Sequence, residues 1–231
     1  MQTTPVTEQR ASAGASREVA ATYSGSADGV EAKLLQAAFG GRWIGVRLLW
    51  EEPDSAPAAE FGCRLCELAG SAHNAPALLT PTRCTCPGAS YALGWQADAV
   101  VCLAEELQTR AGIADSDVWE LLEQAPHLRH PPQAVLVGDD RDADVYISYA
   151  QPLAVMKLIQ RWHVLRGSML SAELSSIMAV CSGAILAAYL DRRPALSFGC
   201  PDSRKAGRLA RDRLVLAVPG LLVEQLARGN S

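Results

Sequence analysis

The sequence predicts an α/β or α+β domain in which a mixed sheet is flanked by helices. Short apolar runs typical of buried strands alternate with segments of helical periodicity through most of the chain. The clearest strands are residues 43–50, 134–138, 145–149, 195–198 and 214–218, and the clearest helices are residues 27–39, 97–110, 115–125, 152–165 and 220–228. Both halves place cysteines where a strand gives way to a helix, which leaves open two pseudo-symmetric lobes.

The remaining segments carry weaker signals. Residues 63–70 are predicted as a short helix, residues 77–80 as a brief strand and residues 90–95 as another strand. The helix at 152–165 is predicted to bury Leu153, Met156, Leu158, Ile159 and Trp162. Residues 168–190 are strongly apolar but interrupted by Glu173 and a Cys-Ser-Gly break, so a buried strand followed by a buried helix is favoured over a membrane span.

Length and composition set the domain organisation and exclude several function classes. The 231 residues suffice for one core, and we expect a flexible tail over residues 1–27 followed by a single domain over residues 28–231. The net charge of −4 and the lack of a basic stripe argue against nucleic-acid binding. No secretory signal pattern opens the chain, and seven cysteines do not form a disulfide framework, so a cytoplasmic location is expected.

Six of the seven cysteines lie in or beside glycine- and proline-containing turns, where thiolates can reach a metal. Thiolates are the ligands that zinc and iron–sulfur clusters prefer. A local zinc site would use Cys63, Cys66, Cys84 and Cys86, whereas a [4Fe–4S] cluster would take one ligand from each of four segments, near Cys63, Cys86, Cys181 and Cys200. Cys102, within an apolar helical stretch, is expected to be an ordinary buried cysteine.

Several short motifs resemble the domain of unknown function 169 family (DUF169), in the right order over about residues 43–226. They are CRLCELAGS (63–71), CTCPGASYALG (84–94), PPQAVLVGD (131–139), LAVMKLIQRW (153–162), VCSG (180–183), LSFGCPDSR (196–204) and AVPGLLVEQL (217–226). The resemblance implies a metabolic, cysteine-containing α/β domain compatible with an iron–sulfur cluster. It aligns the family cysteines with Cys63, Cys86, Cys181 and Cys200 and a family arginine with Arg204. Cys66 and Cys84 are additions to the pattern, and either could replace its neighbour.

The function predicted is an iron–sulfur enzyme of small-molecule metabolism, whose cluster serves as Lewis acid, sulfur carrier or electron-transfer centre. Lyase, sulfur-transferase and oxidoreductase activities all remain open, and so do a homo-oligomer and a redox partner. Tyr91, Tyr149, Ser182 and Arg204 are the candidate pocket residues, with Arg204 as the anchor for a carboxylate or phosphate. The alternative is a non-catalytic protein that binds zinc or another metal, or an accessory subunit of a complex.

Overall fold

In the computed structural model, the described residues are 29–51, 64–71, 76–96, 98–111, 114–138, 142–170 and 178–229. Helices α1 to α9 span Val30–Phe39, Leu65–Ser71, Pro87–Ala92, Ala99–Ala111, Asp115–Gln124, Pro152–Arg166, Ala187–Asp191, Pro201–Lys205 and Val223–Arg228. A π-helix, Cys181–Leu186, leads into α7, and a 3-10 turn, Gly220–Leu222, leads into α9. Strands β1 to β6 span Ile44–Leu49, Ala77–Leu79, Ala134–Val137, Val145–Ala150, Ala195–Ser197 and Leu214–Pro219. The predicted class, helices around a sheet, is confirmed.

The six described strands form one sheet in the order β2-β3-β1-β4-β6-β5, and each neighbouring pair is antiparallel. In each half of the chain the first strand lies at the centre, the second at the outer edge and the third between them. Because β1 and β4 pair antiparallel at the centre, the strand order of one half is related to that of the other by an approximate two-fold axis. The two halves, which the sequence left open as pseudo-symmetric lobes, thus repeat one strand order, but the described sheet is antiparallel throughout rather than mixed.

Alternation of side chains along the strands builds a hydrophobic core on each face of this sheet. One core contains Val46, Val135 and Ile147, together with α2 to α5 and the π-helix. The other contains Tyr146 and Leu216, covered by α1, α6 and α9. Cys66, Cys84 and Cys181 belong to the first core, and Cys86 packs against it.

Two sequence predictions about local structure differ from the structure. Residues 90–95 do not form a strand, because Ser90 to Ala92 complete the helix that Pro87 begins. On α6, Leu153, Met156 and Ile159 are exposed by 61%, 56% and 38%, and the helix instead buries Ala154, Val155, Leu158 and Trp162. The periodicity is helical as predicted, but the tertiary packing selects the neighbouring stripe of the helix.

Other predictions fall on segments that the structure does not describe. These are the N-terminal tail at residues 1–27 and most of the strand predicted before Cys181. Among the described helices, none combines the length and apolarity needed to cross a membrane.

Candidate metal centre

Four cysteines occupy equivalent positions in the two halves of the fold, each at the start of a helix. Cys66 is the second residue of α2 and Cys181 the first residue of the π-helix, while Cys86 and Cys200 immediately precede α3 and α8. Cys66 lies 20 residues before Cys86, and Cys181 lies 19 residues before Cys200. We call these residues, Cys66, Cys86, Cys181 and Cys200, the four-cysteine group.

The two cysteines that precede α3 and α8 share one local design. Each follows an outer edge strand, β2 or β5, and each is succeeded by a proline at the first helical position. Proline is favoured there because the first helical amide has no partner within the helix. The short edge strand and the Cys–Pro helix start therefore occur once in each half.

Helix packing brings the four segments together on one face of the sheet. Helix α2 packs against α8, and α3 packs against the π-helix. Gly70 makes the first contact tight, since a Cβ there would collide with the carbonyl oxygen of Gly207. Arg64, just before α2, donates to the carboxylate of Asp202 on α8 at 2.5 Å.

The four thiols influence one another's pKa. The pKa of Cys181 is raised by burial and by the thiols of Cys86, Cys200 and Cys66. The pKa of Cys66 is raised in the same way by the thiols of Cys200 and Cys86. The pKa of Cys86 is raised by the thiol of Cys200. Every pair within the four-cysteine group is therefore close enough to interact.

Burial determines the protonation state of these thiols in the metal-free protein. It raises the pKa of Cys66 to about 12 and that of Cys86 to about 11, and neighbouring thiols add to both shifts. The backbone amide of Ala89 partly offsets the shift of Cys86. At neutral pH these thiols are protonated, so a bound metal has to displace their protons.

Cys200 is held by a reciprocal hydrogen-bonded cap at the start of α8. Its Sγ accepts from the backbone N–H of Ser203 at 3.4 Å, while the hydroxyl of Ser203 accepts from the backbone N–H of Cys200 at 2.8 Å. The same hydroxyl donates to the Cys200 carbonyl oxygen at 2.8 Å. These hydrogen bonds fix the position of Cys200 at the start of α8.

Of the other three cysteines, the structure describes Cys84 and Cys102. Cys63, predicted as a ligand, lies outside the described residues. Cys84 is buried, and its thiol lies 3.7 Å from the carbonyl oxygen of Cys86, to which it is also electrostatically coupled. Cys102 is exposed on α4, which contradicts the expectation of a buried cysteine. Across the described part of the chain, no three His, Cys, Asp or Glu side chains are arranged to hold a single metal ion.

The four residues predicted to line a pocket all donate hydrogen bonds to backbone carbonyl groups. The Tyr149 hydroxyl donates to Cys66 at 3.0 Å, beside the four-cysteine group. Tyr91 and Ser182 donate to Leu122 and Pro126, at 2.8 and 2.7 Å, and so fasten the end of α5. Arg204 donates to Phe198 and Ala210, at 2.5 and 2.9 Å. Their catalytic roles stay predictions.

Sequence reasoning missed two features beside the four-cysteine group. One is the Arg64–Asp202 ion pair, whose partners are 138 residues apart in the chain and carry no motif that links them. The other is a broad groove of about 600 Å³ beside α8, lined by the cations Arg204, Lys205, Arg208 and Arg211. These four cations lie close together in the sequence, in the run RKAGRLAR at residues 204–211. The net negative charge of the whole chain does not reveal this local basic run.

Comparison with known proteins supports the resemblance drawn from the motifs. A curated relative is "Uncharacterized protein MJ0308" of Methanocaldococcus jannaschii, which is 29% identical over 76 residues. That alignment covers 33% of each chain, so the present chain spans a third of the relative it matches. No solved structure matches significantly. The DUF169 model, described as an uncharacterised ArCR, matches residues 40–229. The chain therefore belongs to the DUF169 family.

Proposed function

We propose that this protein binds a [4Fe–4S] cluster through the four-cysteine group and uses it on a small-molecule substrate. The observation that carries the proposal is that the packing of α2 on α8 and of α3 on the π-helix brings together four segments, each with one cysteine: Cys66, Cys86, Cys181 and Cys200. Free cysteines that serve only the core have no reason to occupy equivalent helix starts in both halves. Thiolates gathered in this way are the usual ligands of iron–sulfur clusters.

A cluster would account for ligands from four separate segments, whereas the local zinc site predicted from the sequence needs Cys63, which lies outside the described residues. A structural zinc draws its sulfur ligands to about 2.3 Å from one centre, and no described group of three ligands is placed for that. A cubane cluster distributes four thiolates over four irons, so its ligands stand farther apart.

The chain's own residues would prepare and shield such a centre. Burial keeps Cys66 and Cys181 away from water. Burial, with a smaller contribution from Asp202, also raises the pKa of Cys66 and Cys86, so proton release accompanies binding. Tyr149 holds the Cys66 backbone from β4. When bound, the cluster would supply electron transfer if all four irons carry cysteine, or a Lewis-acidic iron if one does not.

The test is metal and acid-labile sulfide analysis, with a visible spectrum, on the full chain purified without oxygen. We expect about four irons and four sulfides per chain. Zinc alone, or no metal, would contradict the proposal. Zinc would instead support the alternative of a non-catalytic metal-binding protein.

Ligand identity is tested by the Cys66→Ala and Cys63→Ala variants, compared with Cys102→Ala as the matched control. Cys66 belongs to the four-cysteine group, whereas Cys102 is exposed on α4. We expect loss of iron in Cys66→Ala and unchanged iron in Cys102→Ala. Iron retained in Cys66→Ala but lost in Cys63→Ala would assign the ligand to Cys63 instead.

A further inference from the structure

A groove with a basic lining adjoins the four-cysteine group, on the segment that contains Cys200. It is the groove of about 600 Å³ beside α8, and we call it the basic groove. Pro201, which lines it, opens α8 directly after Cys200. Arg204, another lining residue, donates back to the carbonyl oxygen of Phe198, two residues before Cys200. The basic groove and one member of the four-cysteine group therefore share one short stretch of chain.

The lining of the basic groove combines positive charge with apolar side chains. Four of its seven lining residues are the cations named above, and the other three, Pro201, Leu209 and Ala210, are apolar. None of these described lining residues is acidic. Protein docking surfaces have this mixed composition, because charge guides the approach of the partner and apolar contacts hold the complex.

The positive charge of the basic groove is not neutralised by the part of the chain that the structure describes. Within that part, Lys205, Arg208 and Arg211 form no ion pair. The two carboxylates of the same segment, Asp202 and Asp212, pair instead with arginines that do not line the groove. A chain with a net charge of −4 thus concentrates unpaired cations at one place on its surface. Such a local field attracts an acidic partner.

The shape of the basic groove distinguishes between classes of anionic partner. Five of its seven lining residues are exposed, whereas a pocket for a small molecule buries most of its ligand. Single-stranded nucleic acid is bound by aromatic side chains on which its bases stack, and none of the described lining residues is aromatic. An acidic polypeptide needs neither enclosure nor stacking, since its carboxylates can pair with cations along an open surface. The basic groove therefore fits a polypeptide best.

We propose that the basic groove is a docking surface for an acidic segment of a partner protein. Carboxylates of that segment pair with Lys205, Arg208 and Arg211, and its apolar side chains contact Pro201 and Ala210. A partner docked in this way lies beside Cys200, because Pro201 follows that cysteine directly. Any role of the partner in delivering electrons to a cluster rests on the proposed function, whereas the docking itself does not.

The test is the fluorescence anisotropy of a labelled peptide of eight glutamates, titrated with the full chain as purified without oxygen. At about 20 mM salt we expect binding with a Kd of roughly 10–100 µM. At about 200 mM salt the binding should be weaker by about tenfold, since salt screens exposed charges. A labelled peptide of eight lysines is the charge control and should not bind.

Removal of two cations from the basic groove locates the binding surface. The double variant Arg208→Gln/Arg211→Gln should weaken binding of the glutamate peptide by about fivefold or more. Arg204 stays unchanged, because its guanidinium donates to two backbone carbonyl groups and its removal would also disturb the fold. The matched control is Lys157→Gln/Arg161→Gln, which removes two exposed cations from α6 on the opposite face of the sheet. We expect this control to bind like the wild type.

Three results would overturn the proposal. The first is no binding of the glutamate peptide at about 20 mM salt with up to roughly 1 mM protein. The second is wild-type binding by Arg208→Gln/Arg211→Gln, or equal weakening by the two double variants, with circular dichroism to confirm folding. The third is tighter binding of an octamer of thymidine nucleotides than of the glutamate peptide, which would assign the groove to nucleic acid. None of the variants changes a cysteine, so the outcome is independent of the iron and sulfide analysis.

Discussion

The two halves of the molecule share a strand order and a cysteine arrangement but differ in the helices that surround them. The first half places α4 and α5 between its Cys–Pro helix and β3. The second half places α6 between β4 and the π-helix. Each half therefore contains the same elements, namely three strands and two helices that begin at or beside a cysteine. This comparison teaches that the four-cysteine group, rather than the helical periphery, is what both halves have in common.

The most severe test of this equivalence is replacement of each cysteine by alanine. If the halves contribute equally, Cys66→Ala, Cys86→Ala, Cys181→Ala and Cys200→Ala should each reduce bound iron below about half of the wild-type content. The measurement is iron and sulfide per folded chain, with circular dichroism to confirm folding. Loss of iron from the variants of one half alone would contradict a shared centre.

The two helix contacts that join the halves also differ from one another. A Cβ on Gly70 would meet the Gly207 backbone, which cannot move without shifting the chain, whereas a Cβ on Gly88 would meet the flexible side chain of Met178 at 2.8 Å. We expect Gly70→Ala to lower the free energy of unfolding by about 1–3 kcal/mol. Gly88→Ala should change it by less than about 1 kcal/mol, since alanine also favours the helix.

Urea unfolding of both variants measures the difference between these two contacts. A large loss in both would show that the Met178 contact is as rigid as the glycine contact. No loss in Gly70→Ala would show that α2 can separate from α8 without cost.

A third prediction concerns pH in the metal-free protein. The folded pKa values of Cys66 and Cys86, about 12 and about 11, lie above the ordinary value of 9.0. Folding therefore favours the protonated thiols, and their contribution is fully present below pH 9 and decreases as the pH rises towards 11 to 12. Each thiol should remove up to about 1.4 kcal/mol of unfolding free energy per pH unit in this window.

Denaturant unfolding of the reduced, chelator-treated protein between pH 8 and pH 10.5 tests this dependence. Cys66→Ala should decrease the slope above pH 9, whereas the exposed Cys102→Ala variant should retain it. A slope that does not respond to Cys66→Ala would contradict the burial of that thiol.

The smallest expected effect comes from the Arg64–Asp202 ion pair, which lies at the contact between α2 and α8. Asp202 is the second residue after Cys200, and the corresponding position after Cys86 is Gly88. Its partner Arg64 is partly exposed, so Asp202→Asn should cost less than about 1 kcal/mol of stability. Because Asp202 raises the pKa of Cys66 and Cys86, the variant should alkylate faster at those thiols in the metal-free protein.

The alkylation rate as a function of pH, read residue by residue by mass spectrometry, tests this prediction. Asp212→Asn provides the control, since Asp212 is exposed and pairs with Arg213 instead. Equal changes in the two variants would indicate a general effect of net charge.

The sequence predicted the strands well because each is a short apolar run bounded by turn residues, as β3 and β6 illustrate. It failed at residues 90–92, where the proline that starts a helix outweighs the local strand pattern. Of the cysteines, Cys86, Cys181 and Cys200 were selected by their turns. Cys66 is an alternative to Cys63, and because Cys63 lies outside the described residues the choice between them stays a prediction. The Arg64–Asp202 pair arises from a contact between segments that are 138 residues apart, and no local sequence pattern encodes such a contact.

The two outer strands of the sheet, β2 and β5, are only three residues long. A sheet edge is where another chain can add a strand, and a short edge exposes few backbone groups for such an addition. In both halves the chain leaves the edge within a few residues to start a Cys–Pro helix. The segments that gather the cysteines thus also limit the protein's tendency to aggregate by intermolecular strand pairing.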